Sequence, residues 1–148
     1  MADLRDLYQE VILEHSKNPR NYRVLADASN SVEGFNPLCG DHFTVYLKMD
    51  GDRIGDLSFQ GAGCAIAKAS ASVMTQTLKG KTRQEAECLF GRFHDLVTGK
   101  GSAGADGLGK LAVFSGVAAF PMRVKCAILA WHAVHAALAG KSEAVSSE

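Results

Sequence analysis

Three cysteines and one aspartate in this chain of 148 residues stand where local structure would charge them. Cys39 lies in Asn36-Pro37-Leu38-Cys39-Gly40-Asp41, a turn signal just ahead of a strand pattern. Cys64 follows Gly61-Ala62-Gly63, where a strand pattern runs into a helix start and backbone N–H groups lie open to an anion. Cys126 falls in the first turns of the last helix pattern, after Arg123 and Lys125. A free thiol titrates near ~8.5, and a helix N-terminus or a neighbouring cation lowers that value. Asp41 comes two residues after Cys39, so one turn can aim both at a common point. Three thiolates and one carboxylate make a tetrahedral zinc donor set, with Zn–S near ~2.3 Å. The same soft donors also hold iron–sulfur clusters. No CxxC pair marks the set, and each cysteine alone also reads as a small buried hydrophobe. Spacing by itself leaves both readings open. Cys88 falls off an apolar helix stripe, with no turn or helix start beside it, and is read as an uninvolved thiol.

The elements that must carry these residues are legible in the apolar periodicity. Leu4, Leu7, Tyr8, Val11 and Ile12 recur at helical spacing, with Asp3 as a cap and Asn18-Pro19 as the stop. Ser31–Asn36 reads as a short strand. Phe43, Val45, Leu47 and Met49 alternate at strand period, Asp50-Gly51 signals a hairpin, and the return strand covers about Arg53 to Gln60. The apolar phase slips between Ile54 and Leu57, which predicts a bulge near Gly55. Cys64–Lys79 is a helix of small residues that another backbone can approach closely. Thr82 and Glu85 form a capping box ahead of the stripe Ala86, Leu89, Phe90, Phe93, Leu96 and Val97. Thr98–Gly109 is Gly-rich and reads as a mobile loop. Pro121 opens a last helix that is apolar nearly all round to Leu138, hence central to the core. Strands precede helices, so the expectation is one α+β domain over residues 1–140, with an antiparallel sheet and a disordered tail at 141–148.

Charge excludes other classes. Lys plus Arg and Asp plus Glu both number 16, so no basic excess suggests nucleic acid or an anionic membrane. The longest apolar run, within Ala127–Ala139, is interrupted by His132 and His135, and Met1–Glu10 has no apolar signal region. The expected compartment is therefore the cytoplasm, where cysteines serve metals or thiol chemistry rather than disulfides. Gly104-x-x-x-x-Gly109-Lys110 fails as a phosphate loop, because Leu111 replaces the needed Ser or Thr and no strand precedes it. His42 opens a strand and reads as solvated or satisfied; His15, His94, His132 and His135 read as structural or exposed helix residues.

Four ordered motifs carry a family resemblance over nearly all of residues 4–138. They are Ile12-Leu13-Glu14-His15-Ser16-Lys17-Asn18-Pro19-Arg20-Asn21, Asn36–Asp41, Phe59-Gln60-Gly61-Ala62-Gly63-Cys64-Ala65-Ile66 with Ala69-Ser70-Ala71-Ser72, and Phe120-Pro121-Met122-Arg123-Val124-Lys125-Cys126-Ala127. Together they resemble the SufU branch of the IscU/NifU-like iron–sulfur cluster assembly family. The resemblance implies a small three-stranded antiparallel sheet with helices on one face (IscU/SufE-like). It implies Cys39, Asp41, Cys64 and Cys126 as metal ligands. The long interval between Cys64 and Cys126, and Lys125 where IscU-like scaffolds usually have His, point to the SufU side. Met122 departs from the small residue common among relatives. The implied function is a zinc-dependent sulfurtransferase of the SUF system that accepts persulfide sulfur from a PLP-dependent, SufS-like cysteine desulfurase and passes it to a downstream assembly scaffold. Cys39 is the implied catalytic acceptor, with Arg123 and Lys125 placed to offset the charge of the site. The competing implication is a non-enzymatic scaffold on which iron and sulfide form a [2Fe–2S] cluster. The resemblance includes His15 but assigns it no role.

Overall fold

Alternating burial builds the sheet. A computed structural model describes residues 4–37, 40–99, 108–141 and 144–146. β1 (Asn30–Asn36), β2 (Asp41–Asp50) and β3 (Arg53–Ala62) form an antiparallel meander. On β1 the inward positions are Val32, Gly34 and Asn36; on β2 they are Asp41, Phe43, Val45 and Leu47. The β2–β3 hairpin closes through Gly51, which takes φ +63° with open space around it. Lys48 pairs with Asp56 and Met49 with Ile54, so Gly55 is the extra residue of a bulge, as the phase slip predicts.

Helices cover one face, as expected. α1 (Leu4–Lys17) stops ahead of Pro19, while its expected cap, Asp3, lies outside the described residues. α2 (Ala65–Leu78) has Cys64 as its N-cap rather than its first turn. α3 (Arg83–Thr98) carries the Thr82–Glu85 capping box with both reciprocal bonds. Of its predicted stripe, Ala86, Phe93, Leu96 and Val97 are buried. Leu89 and Phe90 are only half-buried, because Phe90 sits at the rim stacked on His135 at 4.6 Å. α4 (Pro121–Leu138) is the core helix. It packs on β1, β2, α2 and α3, and Trp131 is fully buried with its Nε1 donating to Ser70 Oγ at 3.2 Å. Ser70 in turn donates to the Ala127 carbonyl, a contact that the small residues of α2 permit.

Two segments depart from expectation. The Gly-rich stretch falls mostly on 100–107, outside the described residues, but its end passes into a 3-10 helix, Gly109–Ala119, that no periodicity signalled. Leu111, Val113, Phe114 and Val117 bury there, so the segment belongs to the core. The reading of 141–148 as a disordered tail is corrected at Val145–Ser146. These residues form β4 and pair in parallel with Gly34 and Phe35, giving the order β3-β2-β1-β4. The Val145 side chain packs beside Gly34, where the missing side chain leaves room. Among the described residues no helix is long and apolar enough to cross a membrane.

Candidate metal centre

The start of β2, the β3–α2 junction and the first turns of α4 meet at one corner of the domain. Asp41 is the first inward residue of β2, in phase with Phe43 and Val45, so strand period drives a carboxylate into the core edge, 1% exposed. Its Oδ1 accepts from the Cys64 backbone N–H at 2.9 Å. That bond needs the backbone of 61–64 to lie almost against β2. Gly61 takes φ +141°, and a Cβ there would fall 2.1 Å from the His42 carbonyl oxygen. A Cβ on Gly63 would fall 2.7 Å from Phe43 Cζ and 2.9 Å from Asp41 Oδ1. The two glycines of the junction are therefore the condition for bringing Cys64 to Asp41.

Cys64 then caps α2, its Sγ accepting from the Ala67 N–H at 3.4 Å and lying 4.0 Å from Asp41 Oδ2. Cys126, 1% exposed, arrives from α4. One ligand atom from each of Asp41, Cys64 and Cys126 lies within 4.8 Å of the others. A tetrahedral zinc with bonds near ~2.3 Å has donor–donor edges near ~3.8 Å, so the 4.0 Å spacing of Cys64 and Asp41 fits such an ion. The donor set is soft, with one hard carboxylate, and suits zinc and iron–sulfur ligation alike.

Three of the four sequence-predicted ligands are thus gathered. The fourth, Cys39, lies outside the described residues. Cys88 is exposed on α3 and is not among the gathered donors. Arg123 is exposed, and with Tyr8, Ile12, Ile66, Val117 and Phe120 it lines an apolar cleft of about 710 Å³. Lys125 is half-buried one residue before Cys126. His42 is exposed and faces Glu33 at 3.7 Å.

Sequence reasoning missed one position. Asn36 is fully buried, pairs in register with Asp41, and donates from Nδ2 to Cys126 Sγ at 3.8 Å. The available signal was an amide at an inward position of the alternation Val32, Gly34, Asn36. His15, read as structural or exposed, is structural. It is buried, with Nδ1 bonded to Ser72 Oγ at 2.7 Å, and the same oxygen accepts from the Arg20 N–H at 2.8 Å. Asn21 Nδ2 donates to Thr75 Oγ1 and Asn21 Oδ1 accepts from Lys79. The motif spanning residues 12–21 is therefore a strap tying α1 to α2.

Comparison with known proteins decides the family. The NifU-like N-terminal domain model matches residues 7–127. The chain belongs to that family. It is 44% identical over 138 residues to the zinc-dependent sulfurtransferase SufU of Bacillus subtilis (strain 168), covering 93% of each chain. It is 39% identical over 138 residues to the iron–sulfur cluster assembly scaffold protein IscU of Streptococcus pyogenes serotype M1, covering 93% of this chain and 86% of that one. Among solved structures it resembles a protein proposed as an iron–sulfur cluster assembly scaffold for the SUF system of Fervidobacterium islandicum AW-1. There the TM-score is 0.83 and the identity 38%, over 92% of this chain and 99% of that one. This NifU-like domain contains the whole corner built by Asp41, Cys64 and Cys126.

Proposed function

We propose that the chain is a cytoplasmic, zinc-dependent sulfurtransferase of iron–sulfur cluster assembly, acting in the SUF system. The observation that carries the reading is the convergence of Asp41, Cys64 and Cys126 within 4.8 Å. Relatives of the same family are named as a zinc-dependent sulfurtransferase and as a cluster scaffold, and soft thiolate donors with one carboxylate serve either role. Asp41, Cys64 and Cys126, with Cys39 from the adjoining turn, would hold the ion. Bound zinc would keep the thiols deprotonated at neutral pH.

Cys39 is assigned as the acceptor. Its thiolate attacks the outer sulfur of a persulfide on a PLP-bearing, SufS-like cysteine desulfurase. A bond forms between Cys39 Sγ and that sulfur, the persulfide S–S bond breaks, and the desulfurase thiolate leaves. The persulfide now on Cys39 passes to a downstream scaffold by the same exchange. Arg123 and Lys125, on the first turns of α4, offset the negative charge of three thiolates and one carboxylate.

Metal analysis joined to a desulfurase assay tests this. Purified protein should hold one zinc per chain, lost in Cys64→Ser and Cys126→Ser. Cys39→Ala should abolish stimulation of a cognate desulfurase. Sulfur acceptance by Cys39→Ala would overturn the acceptor assignment. The scaffold reading, carried by the IscU name of the streptococcal relative, takes precedence if anaerobic iron and sulfide yield a stable cluster that transfers to an apo-acceptor.

A further inference from the structure

One polar side chain is buried against the donors without being one. Asn36 is 0% exposed, and strand register sets it beside Asp41 on the inner face. A Val or Leu would fill that position without desolvating an amide. Instead Nδ2 points at Cys126 Sγ, 3.8 Å away, joining β1 to α4 across a sequence separation of 90 residues. Cys64 Sγ takes its N–H from Ala67, within its own helix cap. The two gathered sulfurs are thus each met by a donor, one from local backbone and one from a distant side chain.

We propose that Asn36 is a positioning residue for Cys126, its side-chain N–H holding the sulfur in place and withdrawing electron density from the thiolate. The inference rests on Asp41, Cys64 and Cys126 being metal donors. A neutral amide suits the role. It stabilises negative sulfur without competing for the metal, whereas a lysine would cancel the charge and a carboxylate would repel it. Partners that orient a ligating group commonly change metal affinity by roughly 10–100-fold when removed. Hydrogen bonds to sulfur also tune the electronics of thiolate-ligated centres. Cys126 would accordingly be the sulfur least free to leave the donor set.

The test uses the full chain loaded with zinc or with cobalt(II), as wild type, Asn36→Ala and Asn36→Asp. Both variants should release zinc to a chromophoric chelator at least about tenfold faster than wild type, Asn36→Asp the faster of the two. In the cobalt form of Asn36→Ala, the thiolate-to-metal charge-transfer band should move to lower energy, because the sulfur has lost a donor. A side chain that merely fills space would not move that band. Near-ultraviolet circular dichroism from Trp131 reports whether the variants fold. Unchanged release and an unchanged band in folded variants overturn the assignment. Should the variants not fold, the wild-type Asn36 side-chain amide resonances decide. They should shift on metal loading, with one proton protected from exchange, and resonances indifferent to the metal overturn it. A wild-type chain that retains neither zinc nor cobalt overturns the donor set itself, a result distinct from either.

Discussion

At the residue scale, charge and burial meet in His15. Burial, reinforced by the nearby Arg20 charge, pushes its imidazole pKa below the usual histidine value. His132 is lowered in the same direction, first by burial and then by His94 and His135. The folded state therefore takes up fewer protons than the unfolded chain once pH falls below the unfolded value of about 6.5. Stability is fully present above that pH and is lost as pH falls toward the folded value. Replacing His15 by Gln should lower stability at pH 7.5 by about 2 kcal/mol, through the lost bond to Ser72 and imperfect filling of the site. It should also flatten the decline between pH 7 and 5. Urea midpoints across that range check both effects, and an unchanged slope would remove His15 from the acid response.

At the element scale, the β3–α2 junction is where backbone freedom becomes site geometry. Gly63→Ala must displace Phe43 or Asp41, since its Cβ would lie within 2.9 Å of both side chains. It should cost about 1–3 kcal/mol and accelerate zinc loss, because the Asp41–Cys64 bond passes through that space. Gly51→Ala is the control. It sits at φ +63° with nothing within 4 Å, so only the left-handed backbone penalty of about 1 kcal/mol applies, and zinc retention should match wild type. Denaturant titration paired with chelator kinetics separates the two variants. These junctions also show what the sequence makes legible. Period-2 alternation, the Asp50-Gly51 turn, the slip at Gly55 and the Thr82–Glu85 box are local codes, and each lies where local chemistry places it. The 3-10 helix Gly109–Ala119 and the Val145–Ser146 strand are not local. Leu111 and Phe114 bury against other helices, Phe114 edge-on to Phe93 of α3 at 5.8 Å, and Val145 fills space left by Gly34. Asp41, Cys64 and Cys126 were legible by residue type, and the resemblance named them. The buried amide of Asn36 was not, because its meaning depends on α4 arriving opposite it.

At the scale of the whole molecule, the proposed donors come from residues 41, 64 and 126, so an ion held there would cross-link β2, the cap of α2 and the central helix α4. None of these positions gathers in an unfolded chain, so binding energy adds to folding energy. At free zinc about a thousandfold above Kd, linkage supplies about 4 kcal/mol. At roughly 2–4 °C per kcal/mol for a chain of this size, chelation should lower Tm by roughly 10 °C while leaving one cooperative transition. Calorimetry with and without chelator measures this. An unaltered Tm in a protein shown to lose its zinc would mean that the ion does not bridge the three elements.

The burial of the gathered donors is uneven. Asp41 and Cys126 are each 1% exposed, whereas Cys64 meets solvent. Such a corner has a front and a back. Among the described donors, solvent reaches the gathered atoms at Cys64, while Asp41 and Cys126 are closed in by sheet and α4. A chelator should therefore strip the ion through the Cys64 donor first, with the two enclosed donors released last.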